Sequence, residues 1–266
     1  MKLLERVTPL RAARVFALSN IAFLGVDIAL AHMANEFQRP VEWAPIVFSA
    51  IATLLLVPGA LGLRAALVPT LELVAGWGAI AVGVVGMVLH LQSGFFAKQT
   101  LHDLVYSAPF VAPISYVGVG LLVLLLRSKE AQERAFGSWI VLLALGGFVG
   151  NFALSVLDHA QNGFFHATEW IPVGSAAMAI GFLVVTLAMP AAMPQRACLA
   201  VLGAQVVVGL AGFALHVGAD LEASAVSRLD RFVFGAPPFA PMLFADLALL
   251  AAIGLWAGLP SEPAPA

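Results

Sequence analysis

The sequence predicts an all-α membrane protein with eight transmembrane helices, arranged as two parallel four-helix repeats. Three observations support this prediction. The 266 residues are 61% hydrophobic and 11% charged, with a mean hydropathy of +0.98, and a water-soluble core cannot hide so many apolar side chains. Eight apolar runs each approach the roughly 20 residues that a membrane-spanning helix needs. Polar connectors in the first half of the chain recur in the second half.

The apolar runs define the predicted helices and the domain boundaries. They cover residues 15–33, 45–63, 70–91, 109–126, 137–157, 171–190, 197–216 and 239–258. Strands of a membrane barrel would be about half as long and would alternate in polarity, so helices are predicted. The predicted organisation is a cytoplasmic N-terminal segment (1–14), a first repeat (15–127), a linker (128–136), a second repeat (137–258) and a disordered tail (259–266).

The repeat is read from connectors that recur at a fixed distance. The stretch H-M-A-N-E-F-Q-R-P-V-E-W-A-P (32–45) returns 127 positions later as H-A-Q-N-G-F-F-H-A-T-E-W-I-P (159–172). V-Y-S-A-P-F-V-A-P (105–113) returns as V-F-G-A-P-P-F-A-P (233–241). Each half then holds two helical hairpins, and four helices per half give both halves the same orientation in the membrane. A proline opens the second helix of each hairpin, where its missing N–H needs no partner.

Basic residues predict the orientation, because short cytoplasmic connectors are enriched in them. One side of the predicted bundle carries Lys2, Arg6, Arg11, Arg14, Arg64, Arg127, Lys129, Arg134 and Arg196. The other side carries Arg39, Lys98, Arg228 and Arg231. Nine basic residues against four place both termini in the cytoplasm of a bacterial-type inner membrane.

Four histidines end the first helix of each hairpin and are the candidate metal ligands: His32, His90, His159 and His216. Pseudo-symmetry would pair His32 with His159 and His90 with His216 near the bundle axis. Neutral imidazole is the commonest transition-metal ligand and the usual axial ligand of haem. The sequence therefore predicts a transition metal or b-type haem near the outer face. The alternative is that these histidines cap helix ends at the membrane interface.

The two remaining histidines, His102 and His166, lie in connectors without such symmetry, and we expect them to be solvated.

Glycines upstream of two of these histidines offer two interpretations. Gly83 and Gly86 share a helix face with His90, and Gly209 and Gly212 share one with His216. A bare face of this kind could form a groove for a flat macrocycle. In membranes, however, small residues more often let two helices pack closely.

Carboxylates and amides in the copied connector are candidate supporting residues. Glu42 and Glu169 each precede a tryptophan and a helix, where a carboxylate favours the positive helix end and an indole favours the interface. Alternatively, these glutamates complete a metal site or orient the histidines. Asn35 and Asn162 could cap or hydrogen-bond within the same connectors.

Ionisable side chains inside apolar runs are functional candidates by default. Asp246 lies about two turns into the eighth run and is the most deeply placed carboxylate, so it is a candidate proton or cation site. Asp27 and Asp158 lie nearer the outer surface, where water can reach them.

Composition and missing motifs narrow the function. A net charge of −2 gives no reason to expect a nucleic-acid partner, and the single cysteine, Cys198, offers neither a disulfide nor a thiolate cluster. The chain has no Walker loop and no C-x-x-C-H motif for covalent haem. The leading prediction is metal handling or electron transfer. The alternatives are a secondary transporter or channel, and an accessory subunit whose outer connectors bind a membrane or periplasmic protein.

Overall fold

A computed structural model describes residues 7–63, 65–128, 135–224 and 227–258, and every regular element in these ranges is a helix. The helices are α1 (Pro9–Met33), α2 (Ala44–Ala60), α3 (Val68–Gln92), α4 (Phe95–Lys98), α5 (Leu101–Tyr106), α6 (Ile114–Leu125), α7 (Ala135–Gln161), α8 (Trp170–Ala188), α9 (Ala192–Glu222), α10 (Arg228–Phe234) and α11 (Met242–Gly258). Short 3-10 turns at Pro40–Trp43 and Ala167–Glu169 lead into α2 and α8.

The described ranges have the architecture of a multi-pass helical membrane protein, as predicted. Six helices are long and apolar enough to cross a bilayer: α1, α3, α7 and α9, and α2 and α8 with their 3-10 turns. Helices α6 and α11 are apolar but shorter, with 12 and 17 residues. At 1.5 Å per residue α6 extends only about 18 Å, against about 30 Å of bilayer hydrocarbon. Aliphatic side chains such as Leu54 (72% exposed) and Val207 (66% exposed) face outward, as lipid contact requires.

Helix boundaries differ from the apolar runs where local chemistry intervenes. Helix α1 begins six residues before its run, because the Thr8 hydroxyl accepts the Arg11 N–H at 3.2 Å and Pro9 fits the first helical position. Helix α6 begins at Ile114, after Pro109 and Pro113. Because proline lacks an N–H and disfavours helical backbone before it, the segment ahead of α6 forms turns instead.

Parts of the predicted flanking segments lie outside the described residues: residues 1–6 of the N-terminal segment, residues 129–134 of the linker and the whole tail from 259 to 266. Among the basic residues used for orientation, Lys2, Arg6, Arg64, Lys129 and Arg134 also lie outside the described ranges.

The four large helices of each half pack in the same order. Helix α1 contacts α2, α2 contacts α3 and α3 contacts α6, while α7 contacts α8, α8 contacts α9 and α9 contacts α11. The halves meet through α1 and α6 on one side and α7 and α11 on the other. Within the second half α11 also packs closely along α7, because Gly137 and Gly254 let the two backbones approach.

The four glycines below His90 and His216 are covered by the next large helix. A Cβ at Gly83 would lie 2.8 Å from the Pro113 carbonyl oxygen, and one at Gly86 would lie 3.0 Å from Pro113 Cβ. A Cβ at Gly209 would lie 3.0 Å from the Pro241 oxygen, and one at Gly212 would lie 2.7 Å from Pro241 Cβ. Close helix packing therefore accounts for these glycines, and their faces are not open grooves for a macrocycle.

Candidate functional site

The copied connector folds in the same way after α1 and after α7. The backbone N–H groups of Asn35 and Phe37 bond to the His32 carbonyl at 3.0 and 3.3 Å. In the second half the N–H groups of Asn162 and Phe164 bond to the His159 carbonyl at 3.2 and 3.1 Å. The side chains of Asn35 and Asn162 are exposed, so their backbones rather than their amides close the helix ends.

A stacked aromatic pair holds each connector in this shape. Phe37 and Phe164 have positive φ angles of 48° and 52°, which are unfavourable for a bulky side chain. Phe37 stacks on Trp43 with ring centres 4.2 Å apart, and Phe164 stacks on Trp170 at 4.1 Å. Such a stack contributes about 0.5–1.5 kcal/mol beyond its buried area, comparable to the roughly 1–3 kcal/mol cost of one strained residue. The stacks therefore help to offset the strain beside each histidine.

Three of the four candidate histidines are fixed by a backbone carbonyl of the following connector, although His216, contrary to the prediction, lies six residues before the end of α9. His32 Nδ1 lies 2.8 Å from the Glu42 carbonyl oxygen, His90 Nδ1 lies 3.0 Å from that of Pro109, and His216 Nδ1 lies 2.8 Å from that of Pro237. A carbonyl oxygen can only accept, so Nδ1 carries the proton. In the neutral ring Nε2 then keeps its lone pair, which is the arrangement that metal-binding histidines commonly adopt.

His32 and His90 lie next to each other at the ends of α1 and α3. Their ring centres are 6.5 Å apart. With a metal–nitrogen bond of about 2.0 Å and roughly 1.2 Å from Nε2 to the ring centre, two imidazoles on one ion have centres about 5.2 Å apart at a tetrahedral angle and about 6.4 Å apart on opposite sides. The observed 6.5 Å exceeds both values, so the two rings would have to move closer, by about 1.3 Å for a tetrahedral site, to bind one ion.

In the second half, His159 and His216 lie on the corresponding helices, α7 and α9. His159 lies close enough to His216 and Glu169 for their charges to act on it. His159 Nδ1 is 3.7 Å from Glu169 Oε2. The neighbour of Nδ1 is therefore a side-chain carboxylate in the second half, whereas in the first half His32 Nδ1 bonds to the backbone carbonyl of Glu42. His32 therefore lies beside His90 within the first half, rather than beside His159 as pseudo-symmetry would pair it.

Each histidine pair has a glutamate with a buried oxygen that lacks a hydrogen-bond partner in the described structure. These oxygens are Glu42 Oε2 and Glu169 Oε2, at equivalent positions of the copied connector. Glu42 also acts electrostatically on His90. A buried, unpartnered carboxylate oxygen costs free energy unless a cation or donor reaches it. Among the described residues, however, neither glutamate completes a cluster of three side chains that could hold a metal ion.

The expected convergence of all four histidines does not occur. Across the described ranges, no three His, Cys, Asp or Glu side chains come close enough together to hold a metal ion. The ends of α1 and α3 thus offer one pair of neighbouring imidazoles. The order of helix packing explains this. Helix α3, which carries His90, packs against α6 of the first half, and α9, which carries His216, packs against α11 of the second half, so His90 and His216 lie in separate halves.

The remaining histidines are exposed, as expected. His102 stacks on Tyr106 with ring centres 4.5 Å apart, and its side chain is 75% exposed. His166 begins the 3-10 turn before α8, where its N–H bonds to Glu169 Oε1 at 3.4 Å. Neither His102 nor His166 is paired with another histidine in the way that His32 is with His90.

The intramembrane carboxylates lie in three separate places. Asp246 Oδ1 accepts a hydrogen bond of 3.0 Å from Asn20 Nδ2, which joins α11 to α1 between the two halves. Asp27 is half-buried on α1 and acts electrostatically on Tyr116. Asp158 is half-buried one residue before His159. These three carboxylates do not form one cluster.

Two features were missed by the sequence interpretation. The first is the aromatic stack in each connector, although the recurrence of Phe and Trp at the same spacing was a visible signal. The second is an ion pair at the opposite end of the bundle, where Arg14 Nε lies 3.2 Å from Glu72 Oε1. Its sequence signal was an acidic residue within the apolar run of α3.

No protein-family model matches this chain, and searches of curated proteins and of solved structures found no match.

Proposed function

We propose that this protein binds transition-metal ions at two equivalent sites near the outer face of a bacterial-type inner membrane. The chain would cross the membrane eight times as two parallel four-helix repeats, with both termini in the cytoplasm. One ion would lie between His32 and His90 with Glu42 beside it, and the other between His159 and His216 with Glu169 beside it. The observation that carries the proposal is the His32–His90 pair, with ring centres 6.5 Å apart and both Nδ1 atoms bonded to carbonyls.

The ligand chemistry favours an ion over a haem. The glycine faces that a macrocycle would need are covered by Pro113 and Pro241. Imidazole and carboxylate ligands suit zinc, copper and nickel. A structural zinc site uses four protein ligands, whereas each half offers two imidazoles, and its glutamate would have to move closer to become a third ligand. Water would complete the coordination, and an open site of this kind favours exchange of the ion. The role proposed is therefore metal handling at the outer face.

The first experiment measures metal in the detergent-purified protein after loading with zinc or copper. Wild type should hold about two ions per chain, one for each histidine pair. His90→Asn and His216→Asn should each hold about one, and the double variant should hold none. Asparagine suits this test because its amide can still donate to the carbonyl that Nδ1 contacts, while the Nε2 ligand is removed.

His102→Asn is the matched control, since it removes an exposed histidine that lies outside both pairs. It should leave metal content unchanged. If wild type binds no metal while His90→Ala lowers thermal stability, the histidines only cap their helices and the proposal is overturned. Asp246 would then become the starting point for the transport alternative, with uptake into proteoliposomes as the assay.

A further inference from the structure

The end of the bundle opposite the histidines contains a buried carboxylate between two arginines. Glu72, in the first turns of α3, is only 4% exposed. Arg14 on α1 lies against it, with Nε 3.2 Å from Glu72 Oε1, and Arg127 after α6 also acts on its charge. A single cation would neutralise this carboxylate. Counted over the described side chains alone, the cluster therefore carries one positive charge in excess.

The arginines are not saturated by the described residues. Arg127 Nε is buried without a hydrogen-bond partner there, and Arg14 Nε, although 3.2 Å from Glu72 Oε1, is not oriented to donate a hydrogen bond to it. Arginine presents five N–H donors in a planar fork that matches carboxylates and phosphates. Buried donors left without partners cost free energy. An anion that accepts from both guanidinium groups would remove this cost.

A cavity of about 230 Å³ lies between these side chains. Its lining includes Arg14, Glu72, Arg127 and Ser128, with the apolar Leu10 and Leu126 at the sides. At about 30 Å³ per water molecule, the space suffices for a phosphate group and the start of its ester chain. Polar and apolar lining together suit an anion that carries a hydrocarbon part.

The surroundings point to the membrane as the source of that anion. The turn between α2 and α3, which leads into this cluster, exposes Leu61, Leu63 and Leu67 by 62%, 54% and 68%. Such side chains are stable in contact with lipid. Basic pockets between helices at the cytoplasmic side of a membrane bind anionic lipid headgroups.

We propose that this cavity binds a phosphate group through Arg14 and Arg127, supplied by the headgroup of an anionic phospholipid. The site is independent of the histidine pairs at the other end of the bundle.

The test compares lipid binding in nanodiscs or by native mass spectrometry. Wild type should prefer phosphatidylglycerol to phosphatidylcholine. Arg127→Gln should weaken phosphatidylglycerol binding about tenfold or more, as expected for lost charge-assisted hydrogen bonds. Arg196→Gln is the matched control, because Arg196 is exposed at the same end of the bundle and does not line the cavity. It should weaken binding about fivefold at most, the effect of one basic residue at a membrane surface.

A second pair of variants keeps the proposal testable if Arg127→Gln does not fold. Ser128 lies in the turn after α6, so Ser128→Glu adds a negative charge to the cavity lining without altering the core. It should abolish the preference for phosphatidylglycerol, whereas Ser128→Gln should retain it. Equal binding by both Ser128 variants, or equal loss in Arg127→Gln and Arg196→Gln, would overturn the proposal.

Inorganic phosphate distinguishes the two sources of the same chemical group. If the lipid supplies it, millimolar phosphate should stabilise wild type in neutral detergent less than phosphatidylglycerol does. If phosphate alone stabilises wild type as strongly and loses this effect in Arg127→Gln, the site still binds phosphate but its ligand is the soluble ion. No stabilisation of wild type by either would contradict the site.

Discussion

In each copied connector, the histidine and the glutamate are the side chains that separate ion binding from simple closure of a helix end. The histidine position is explained by either role, since Nδ1 bonds to a carbonyl in both. The glutamate distinguishes them. Capping by His32 uses only the backbone of Glu42, and the buried side-chain Oε2 has no partner among the described residues. The proposed ion beside His32 and His90 would give this oxygen a partner.

We expect Glu42→Gln to weaken metal binding at the first site by about 10–100-fold, the usual effect of losing a supporting carboxylate. Thermal stability without metal should stay near wild type or rise, because the amide removes a buried charge and keeps the shape. Glu36→Gln is the control, since Glu36 is exposed in the same connector. Metal titration followed by calorimetry measures the change, and equal affinities for Glu42→Gln and wild type would remove Glu42 from the site.

Bound metal should also depend on protonation. Only neutral imidazole binds an ion, so protons compete with the metal. We therefore expect ions loaded at neutral pH to be released on acidification, with the His90→Asn site already empty at every pH. Metal that stays bound in acid would indicate a site made of other ligands. Elemental analysis after dialysis at a series of pH values measures this release.

At the scale of helices, glycine and proline set the positions of the histidines. Gly83 on α3 contacts the backbone at the start of α6, where Pro113 stands. Close approach of these helices also brings the Pro109 carbonyl to His90. The same arrangement joins Gly209, Pro241 and His216 in the second half. Helix packing and histidine orientation are therefore coupled in both halves.

Gly83→Ala should destabilise the protein by about 1–3 kcal/mol, the usual cost of overpacking. The added Cβ would lie 2.8 Å from the Pro113 oxygen and 2.9 Å from the Val117 nitrogen, and backbone cannot yield as a side chain can. Gly118→Ala on α6 is the matched control, because its Cβ would meet nothing within 4 Å. Unfolding in detergent measures both. Equal stability of the two variants would show that α3 and α6 are not packed as described.

For the whole molecule, the two halves are related in sequence, but the asparagines in the first helix of each half are bonded differently. Asn20 on α1 bonds to Asp246 on α11 across the boundary. Asn151 on α7 is buried, and its Nδ2 has no partner among the described residues. Hydrogen bonds between membrane helices contribute about 0.6 kcal/mol on average. The apolar core and close helix packing therefore hold the halves together more than this bond does.

The eight-span arrangement can be tested by cysteine labelling in a Cys198→Ala background. Lys98→Cys precedes α6 on the histidine side, and Ser128→Cys follows it. We expect a membrane-impermeant maleimide to label Lys98→Cys in intact cells and Ser128→Cys only after permeabilisation. Asn162→Cys should behave like Lys98→Cys. Labelling of Lys98→Cys and Ser128→Cys from the same side would show that α6, with its 12 residues, does not cross.

Much of the fold was predictable, because its causes are local or compositional. Hydropathy located a helix within each of the eight apolar runs, and the prolines and histidines marked where helices begin and end. Boundaries were less accurate: α9 continues six residues past His216 to Glu222, and nearby Asp220 accepts the Ala236 N–H at 2.7 Å from a distant connector. Such a contact cannot be read from a hydropathy pattern.

The sequence by itself determined the membrane class, the recurring connectors and the placement of His32, His90 and His159 in the last turns of their helices. Tertiary structure alone decided that His32 meets His90 rather than His159, and that proline covers the glycine faces. It alone placed Arg14 and Arg127 around Glu72. The reason is that lipid is as apolar as the helix surfaces it surrounds. Hydrophobicity therefore requires a helix to lie in the membrane, but the order of helices around the bundle comes from close packing between residues far apart in the chain.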